Sequence, residues 1–306
     1  MSLAYLFDGS TEGLMSAIFC AYANREDPED VIRPEHAQIR LGQEIREITT
    51  DFAQAERVAS GIKRQLGKHV LQYVLEASAC GKTDTGTIVY RFIRYAMKSK
   101  FAMPCSNCHK RQSCNTACIP SKGKKLLSEW ANPAVGPLLD LQRHVYAESE
   151  KIRQFVRFQH TSEGYWFARC NPNAAVLPFV MDWFAARFNT QDFVIYDETH
   201  GVAGMSQGGY WQLVKSDTIN IPENAPEEAL MQDAWQRFYQ ALSIESRYNP
   251  ELRQHFMPKR FWKNLTELQI EQTQHVKQDI FKSQKIPSCA TSSYRYNSSC
   301  FKRMGC

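Results

Sequence analysis

No apolar run in the 306-residue chain approaches the ~20 residues that a membrane-crossing helix needs, so no membrane partner is expected. The opening Met1-Ser2-Leu3-Ala4-Tyr5 has neither the basic nor the apolar stretch of a secretory signal, and a cytoplasmic location is the expectation. Also missing are a Walker loop, a dinucleotide-binding glycine fingerprint, a nucleophile elbow and a zincin helix. Several large enzyme classes are thereby left without their usual mark. No internal repeat or heptad run is present, which argues against a solenoid or coiled coil. Acidic residues are almost absent from one long stretch. Between Lys82 and Lys125 ten bases stand against Asp84 alone, giving that stretch +9 in a chain that totals +5, so the remainder sums to −4.

A local excess of this size is the footprint expected of a surface that meets a polyanion, most simply nucleic acid. Arg91, Arg94 and Lys98 share one stripe of a predicted helix, and Lys110, Arg111, Lys122, Lys124 and Lys125 follow. The plainer alternative is a solvated helix face followed by a basic loop.

Inside this stretch Cys105, Cys108, Cys114 and Cys118 have the spacing C-x2-C-x5-C-x3-C. In a reducing compartment such a group points to metal rather than to disulfides. The first C-x2-C turn puts two sulfurs on one side of the backbone, and four thiolates can then enclose one tetrahedral zinc ion. A [4Fe–4S] cluster is the alternative, although the spacing departs from the usual ferredoxin run. A closed zinc site would shape the loop and present Lys110 and Arg111 without doing chemistry. Cys20, Cys80 and Cys170 stand in structured-looking stretches and read as packing residues.

The pattern of the whole chain predicts an α+β fold. Leu3–Phe7 reads as a strand, Ser10 or Thr11 as the N-cap of a helix, and 44–49 as a second strand. Helices are predicted from Thr50-Asp51, over 68–79 and over 84–98, the last burying Ile88, Phe92 and Tyr95. Pro104 and Pro120 bracket the cysteine segment as a loop, and a long helix is predicted over 130–155. A hairpin (155–159 with 165–170), a helix (173–188) and a second strand pair (193–197 with 202–205) follow, with one more strand over 210–214. Helices return from Pro226 onward. The organisation expected is a mainly helical region over 1–100 with a short strand pair, a basic cysteine-rich insertion over 101–125, an α+β region over 126–270, and a disordered tail over 271–306.

Polar residues embedded in the aromatic half are the catalytic candidates: Glu148, Arg157, Arg187, Asp197 and His200. A pairing of Arg157 or Arg187 with Asp197 or Glu148 would serve as a structural ion pair or as a phosphate-gripping acid–base pocket. The run Met257-Pro258-Lys259-Arg260-Phe261-Trp262-Lys263 interleaves bases and aromatics. It suits a nucleic-acid surface, but anchoring of a terminal helix by Phe261 and Trp262 is the preferred reading.

Several of these stretches, in this order, resemble a bacterial family assigned to DNA metabolism and repair without an established reaction. The resemblance is carried by Tyr5–Leu14, by Val145–Glu148 with Phe155-Val156-Arg157-Phe158, and by Tyr165–Ala168 and Pro172. It continues through Trp183–Phe188, Val194-Ile195-Tyr196-Asp197 and Met257–Trp262. It implies a DNA-repair role beside a radical-SAM protein, and in some relatives fusion to a uracil-DNA-glycosylase-like domain. This chain departs from the family pattern at Trp183, where a His is usual, and at His200, where an Arg is usual. The alternatives are an enzyme acting on a nucleobase or nucleotide and a protein–protein adaptor.

Overall fold

Ser10 ends the first strand and begins the first helix. Its backbone is extended, and its hydroxyl accepts the backbone N–H of Gly13 at 2.8 Å, which satisfies one of the donors a helix start leaves open. The computed structural model describes residues 2–38, 40–99, 119–216 and 219–268. Cys105, Cys108, Cys114 and Cys118, with Lys110, Arg111 and the 271–306 tail, lie outside the described residues.

The first sheet has three parallel strands in the order β2-β1-β3, with β1 (Leu3–Leu6) between β2 (Asp30–Ile32) and β3 (Glu44–Glu47). The sequence pattern predicts only β1 and β3. Strand β2 has three residues shortly after Asp27-Pro28, too short for alternation to register. Helices α1 (Thr11–Ala23), α2 (Phe52–Leu66), α3 (Lys68–Ser78) and α4 (Thr85–Lys98) fill the rest of this half. Asp51 caps α2, as its sequence suggests, by accepting the N–H groups of Ala53 and Gln54. In α4 the buried residues include Val89, Tyr90, Phe92, Ile93 and Ala96, with Ile88 and Tyr95 half-buried. This face is broader than predicted because α4 is covered from several sides, by β2, α3 and α6.

Residues 119–127, for which the sequence pattern predicts no helix, form helix α5 (Ile119–Leu127). Pro120 is tolerated because it stands in the first turn, where no intrahelical N–H bond is lost. Helix α6 (Gly136–Phe155) then starts six residues later than the pattern suggests.

The predicted hairpin, helix and second strand pair all join one five-stranded sheet, in the order β4-β5-β6-β7-β8. Its strands are β4 (Phe158–His160), β5 (Trp166–Cys170), β6 (Phe193–Asp197), β7 (Val202–Gln207) and β8 (Tyr210–Lys215). All neighbours are antiparallel except β5 and β6, which are parallel and joined by helix α7 (Leu177–Arg187). Helices α8 (Glu228–Leu242), α9 (Pro250–Phe256) and α10 (Lys259–Trp262) follow. One buried apolar cluster runs from Tyr5 and Leu14 through Phe92, Val145 and Phe184 to Phe261, Leu265 and Leu268. No helix among the described residues is long and apolar enough to cross a membrane.

Candidate functional site at the carboxyl ends of the parallel strands

Glu148 shares the inward face of α6 with Leu141, Val145 and Ile152, so helical spacing alone carries a carboxylate into the core, where its side chain is 1% exposed. Both of its oxygens lie 2.7 Å from Arg260 Nη2. Lys151 Nζ donates to Oε1 at 2.9 Å, and the backbone N–H of Asn173 donates to Oε2 at 3.1 Å. Burial would raise the carboxyl pKa, but the bonds from Lys151, Asn173 and Arg260 outweigh it and hold Glu148 below its ordinary value. One turn earlier, burial holds the His144 imidazole below its ordinary value. Glu148 opposes that shift, while Lys82, Lys151 and Arg260 add to it.

Asp197 closes β6 and is also 1% exposed on its side chain. Its Oδ1 accepts the backbone N–H groups of Thr199 at 2.9 Å and His200 at 3.2 Å, which forms the turn into β7. Its Oδ2 lies 2.6 Å from His200 Nδ1. A buried carboxylate thus fixes one ring nitrogen, and Nε2 is the nitrogen left for proton transfer. The neighbouring Glu198 accepts Lys263 Nζ at 2.6 Å and Asn171 Nδ2 at 2.7 Å, with Arg169 at 3.6 Å. Desolvation pushes the Glu198 pKa up, and Lys263, Asn171 and Arg169 bring it below the ordinary value.

Parallel pairing sets Cys170 beside Asp197, so the segments that leave β5 and β6 emerge at one edge. In parallel-stranded sheets this is where ligands commonly bind. The segment after β5 is stitched to the α3–α4 turn. Cys80 pairs with Ala174, and Ala175 N–H donates to Ala79 O at 3.1 Å. Arg33, just past β2, reaches Cys80 O at 3.3 Å. Asp8, just past β1, accepts the N–H of Ser10 at 2.9 Å and the hydroxyls of Ser10 and Thr50 at 2.6 and 2.8 Å. Burial raises the Asp8 pKa. Ser10, Thr50 and the charge of Lys215 outweigh it and lower it. Lys215 is registered opposite Val202, so the carboxyl edges of the two sheets approach one another here.

Not every candidate joins this edge network. Asp197 and His200 pair with each other, and Glu148 is linked to the neighbouring Glu198 through the 171–173 segment and through Arg260 and Lys263. Arg157 precedes β4 rather than lying in a strand, and its Nη2 is 2.7 Å from Glu267 Oε1. Arg187 is exposed at the end of α7, over the rings of Trp183 at 5.6 Å and Phe188 at 5.9 Å. Neither arginine makes the pairing with Glu148 or Asp197 that the sequence suggests, because Glu148 is held by Arg260 and Asp197 by His200. The partner of Glu148 is Arg260, from the basic–aromatic run. Arg260, Lys263, Asn264 and Glu267 recur at helical spacing and serve Glu148, Glu198, Asn171 and Arg157 in turn. Phe261, Leu265 and Leu268 occupy the opposite, buried side. The run therefore anchors the chain end, as the preferred sequence reading has it, and does so by charge as well as by apolar contact. Glu198, Glu267 and Asp8 carry no sequence signal beyond local turn and capping chemistry.

The basic candidates lie elsewhere on the fold. Arg91 is exposed and donates to Glu29 O at 3.1 Å. Arg94 is committed to Asp27 at 3.0 Å and sits over Tyr22 and Tyr90. Lys98 is exposed, and all three line a groove of about 440 Å³ with Tyr90 and Tyr95. Tyr95 O–H donates to Glu129 at 2.8 Å, which ties the last turn of α4 to the segment just past α5. On α5, Lys124 is exposed, while Lys122 and Lys125 are half-buried. Among the described residues, no group of three or more His, Cys, Asp or Glu side chains could hold a metal ion. Cys80 and Cys170 are buried free thiols and Cys20 is half-buried, in keeping with packing roles.

A family model described as a domain of unknown function, DUF4130, matches residues 109–267, just over half of the chain. The match takes in α5 to α10 and the whole five-stranded sheet. No curated protein sequence matches the chain.

Proposed function

The chain belongs to the DUF4130 family, and we propose that it is a nucleic-acid-binding accessory protein of DNA metabolism, holding DNA through the basic face of α4 and α5. The observation behind this reading is the +9 stretch itself, which contains α4 and most of α5 and leaves Arg91, Lys98 and Lys124 exposed. Cations spread over such a face contact phosphates without reading bases, so affinity should depend steeply on salt. The DNA-repair setting and a radical-SAM partner are supported by the family resemblance alone. Zinc at Cys105, Cys108, Cys114 and Cys118, or a [4Fe–4S] cluster in its place, is supported by their spacing. Elemental analysis and an absorption spectrum of fresh protein tell the two apart.

Titration of labelled duplex and single-stranded DNA against the protein at several salt concentrations tests the proposal. Binding that weakens steeply with salt supports it, and no measurable binding at low salt removes it.

The Asp197–His200 pair favours a second reading, an enzyme acting on a nucleobase or nucleotide with His200 moving a proton. Turnover of a nucleotide panel that is lost in His200→Ala supports it. Equal turnover by that variant counts against it.

A further inference from the structure

Helix α8 leaves a groove against the β4–β5 hairpin that the network at the strand ends does not use. Its volume is about 450 Å³, within the ~300–1,000 Å³ of small-molecule sites. Phe158, Trp166, Met231 and Trp235 form its apolar walls. Phe158 and Trp166 also line an adjoining hollow of about 200 Å³ that reaches Phe188 and Phe193.

The walls are held in place before any ligand arrives. Phe158 meets Phe184, Phe188 and Phe193 edge-on at 5.8, 5.3 and 5.5 Å. Trp235 is fixed at its rim, since its indole N–H donates to Glu267 Oε2 at 3.1 Å, yet the residue remains 42% exposed. The polar end is equally organised. Buried Glu228 accepts the backbone N–H of His160 and Nε2 of Gln232, both at 2.9 Å. That bond orients the Gln232 amide and leaves its carbonyl oxygen and second N–H for another partner. Arg157 also lines the groove, with its guanidinium held by Glu267 at 2.7 Å.

Aromatic side chains beside an amide donor–acceptor pair suit a flat, neutral nitrogen heterocycle. The carboxylates of Glu228 and Glu267 disfavour a phosphate or carboxylate in the groove. An aliphatic chain would leave the free oxygen and second N–H of the Gln232 amide without partners. We propose that the groove between α8 and the β4–β5 hairpin binds the base of an unpaired nucleotide, its ring against Trp166 and Trp235 and its edge read by Gln232. The proposal rests on the nucleic-acid reading above and names the part of the nucleic acid that a second surface takes.

The test uses the full chain and three labelled probes: a single-stranded DNA decamer, an abasic decamer of equal phosphate number, and a duplex. One base–aromatic stack corresponds to a preference of about 5- to 150-fold for the base-bearing strand. Trp235→Ala should remove that preference, Trp235→Phe should keep most of it, and duplex affinity should be unchanged in both. Equal affinity of the two single strands overturns the groove proposal and leaves the phosphate-binding face intact. So does a preference that survives Trp235→Ala combined with Gln232→Ala. If no probe binds at low salt, both proposals fall together.

Discussion

Arg260 Nη2 stands 2.7 Å from each carboxylate oxygen of Glu148, across 112 residues of sequence. The acid is buried and the arginine side chain is 28% exposed, so the contact ties α10 to the middle of α6. Arg260→Ala would leave a buried carboxylate with Lys151 and the Asn173 N–H as its partners. A loss of about 3 kcal/mol is expected, the low end for a broken buried pair. Glu148→Leu combined with Arg260→Met should recover most of it. Denaturant unfolding of the three proteins checks both statements.

Acid should destabilise the protein over two pH ranges. His144 has its folded pKa below the ordinary 6.5, so the unfolded chain binds the proton more readily. The stability it contributes is complete above about pH 6.5 and declines as the pH falls through the folded value. Glu148, Glu198, Glu267 and Asp8 have folded pKa values below their ordinary 4.5 or 3.8. Their contribution persists above those values and is lost as pH falls further. Melting temperature against pH should therefore slope gently just below 6.5 and steeply below about 4. His144→Gln should flatten only the upper part.

Asp197 sets the proton position on His200. With Oδ2 at 2.6 Å from Nδ1, the neutral ring should carry its proton on Nδ1, which nitrogen chemical shifts report. Asp197→Ala should abolish that preference. It should also cost about 2 kcal/mol, because the Thr199 and His200 N–H groups lose their acceptor. A His200 signal with its proton on Nε2 in the parent protein would contradict the assignment.

Gly123 lets α5 lie directly on the α2–α3 turn. A Cβ there would come within 2.6 Å of Leu66 O, a backbone atom that cannot move aside cheaply. Gly123→Ala is expected to cost about 1–3 kcal/mol and to weaken DNA binding by displacing Lys122 and Lys124. A variant with unchanged melting temperature and affinity would show that α5 is not held as described.

Elements with strong local signals are legible in the sequence. The Ser10 and Asp51 caps and the strands β5 and β6 each declare themselves within a few residues. What escapes is set by contacts distant in the chain. Strand β2 exists because β1 lies beside it, and α5 forms where its Pro120 suggests a loop. Glu148 and Asp197 could be singled out as polar residues in apolar surroundings. Their partners could not, because the Arg260 charge comes from a run whose composition suits an outer surface equally well. Arg157 shows the limit in the other direction. Its partner Glu267 is fixed only when the chain end folds back onto α8.

The central claim, that the α4–α5 face holds DNA by its phosphates, is tested most directly by the salt dependence of duplex affinity in the parent protein and in Lys98→Glu/Lys124→Glu. Each phosphate contact contributes about 0.9 to the slope of log affinity against log salt. The double variant should bind more weakly and with a slope smaller by roughly 2. An unchanged slope and affinity would place the DNA, if it binds, on some other surface and contradict the account.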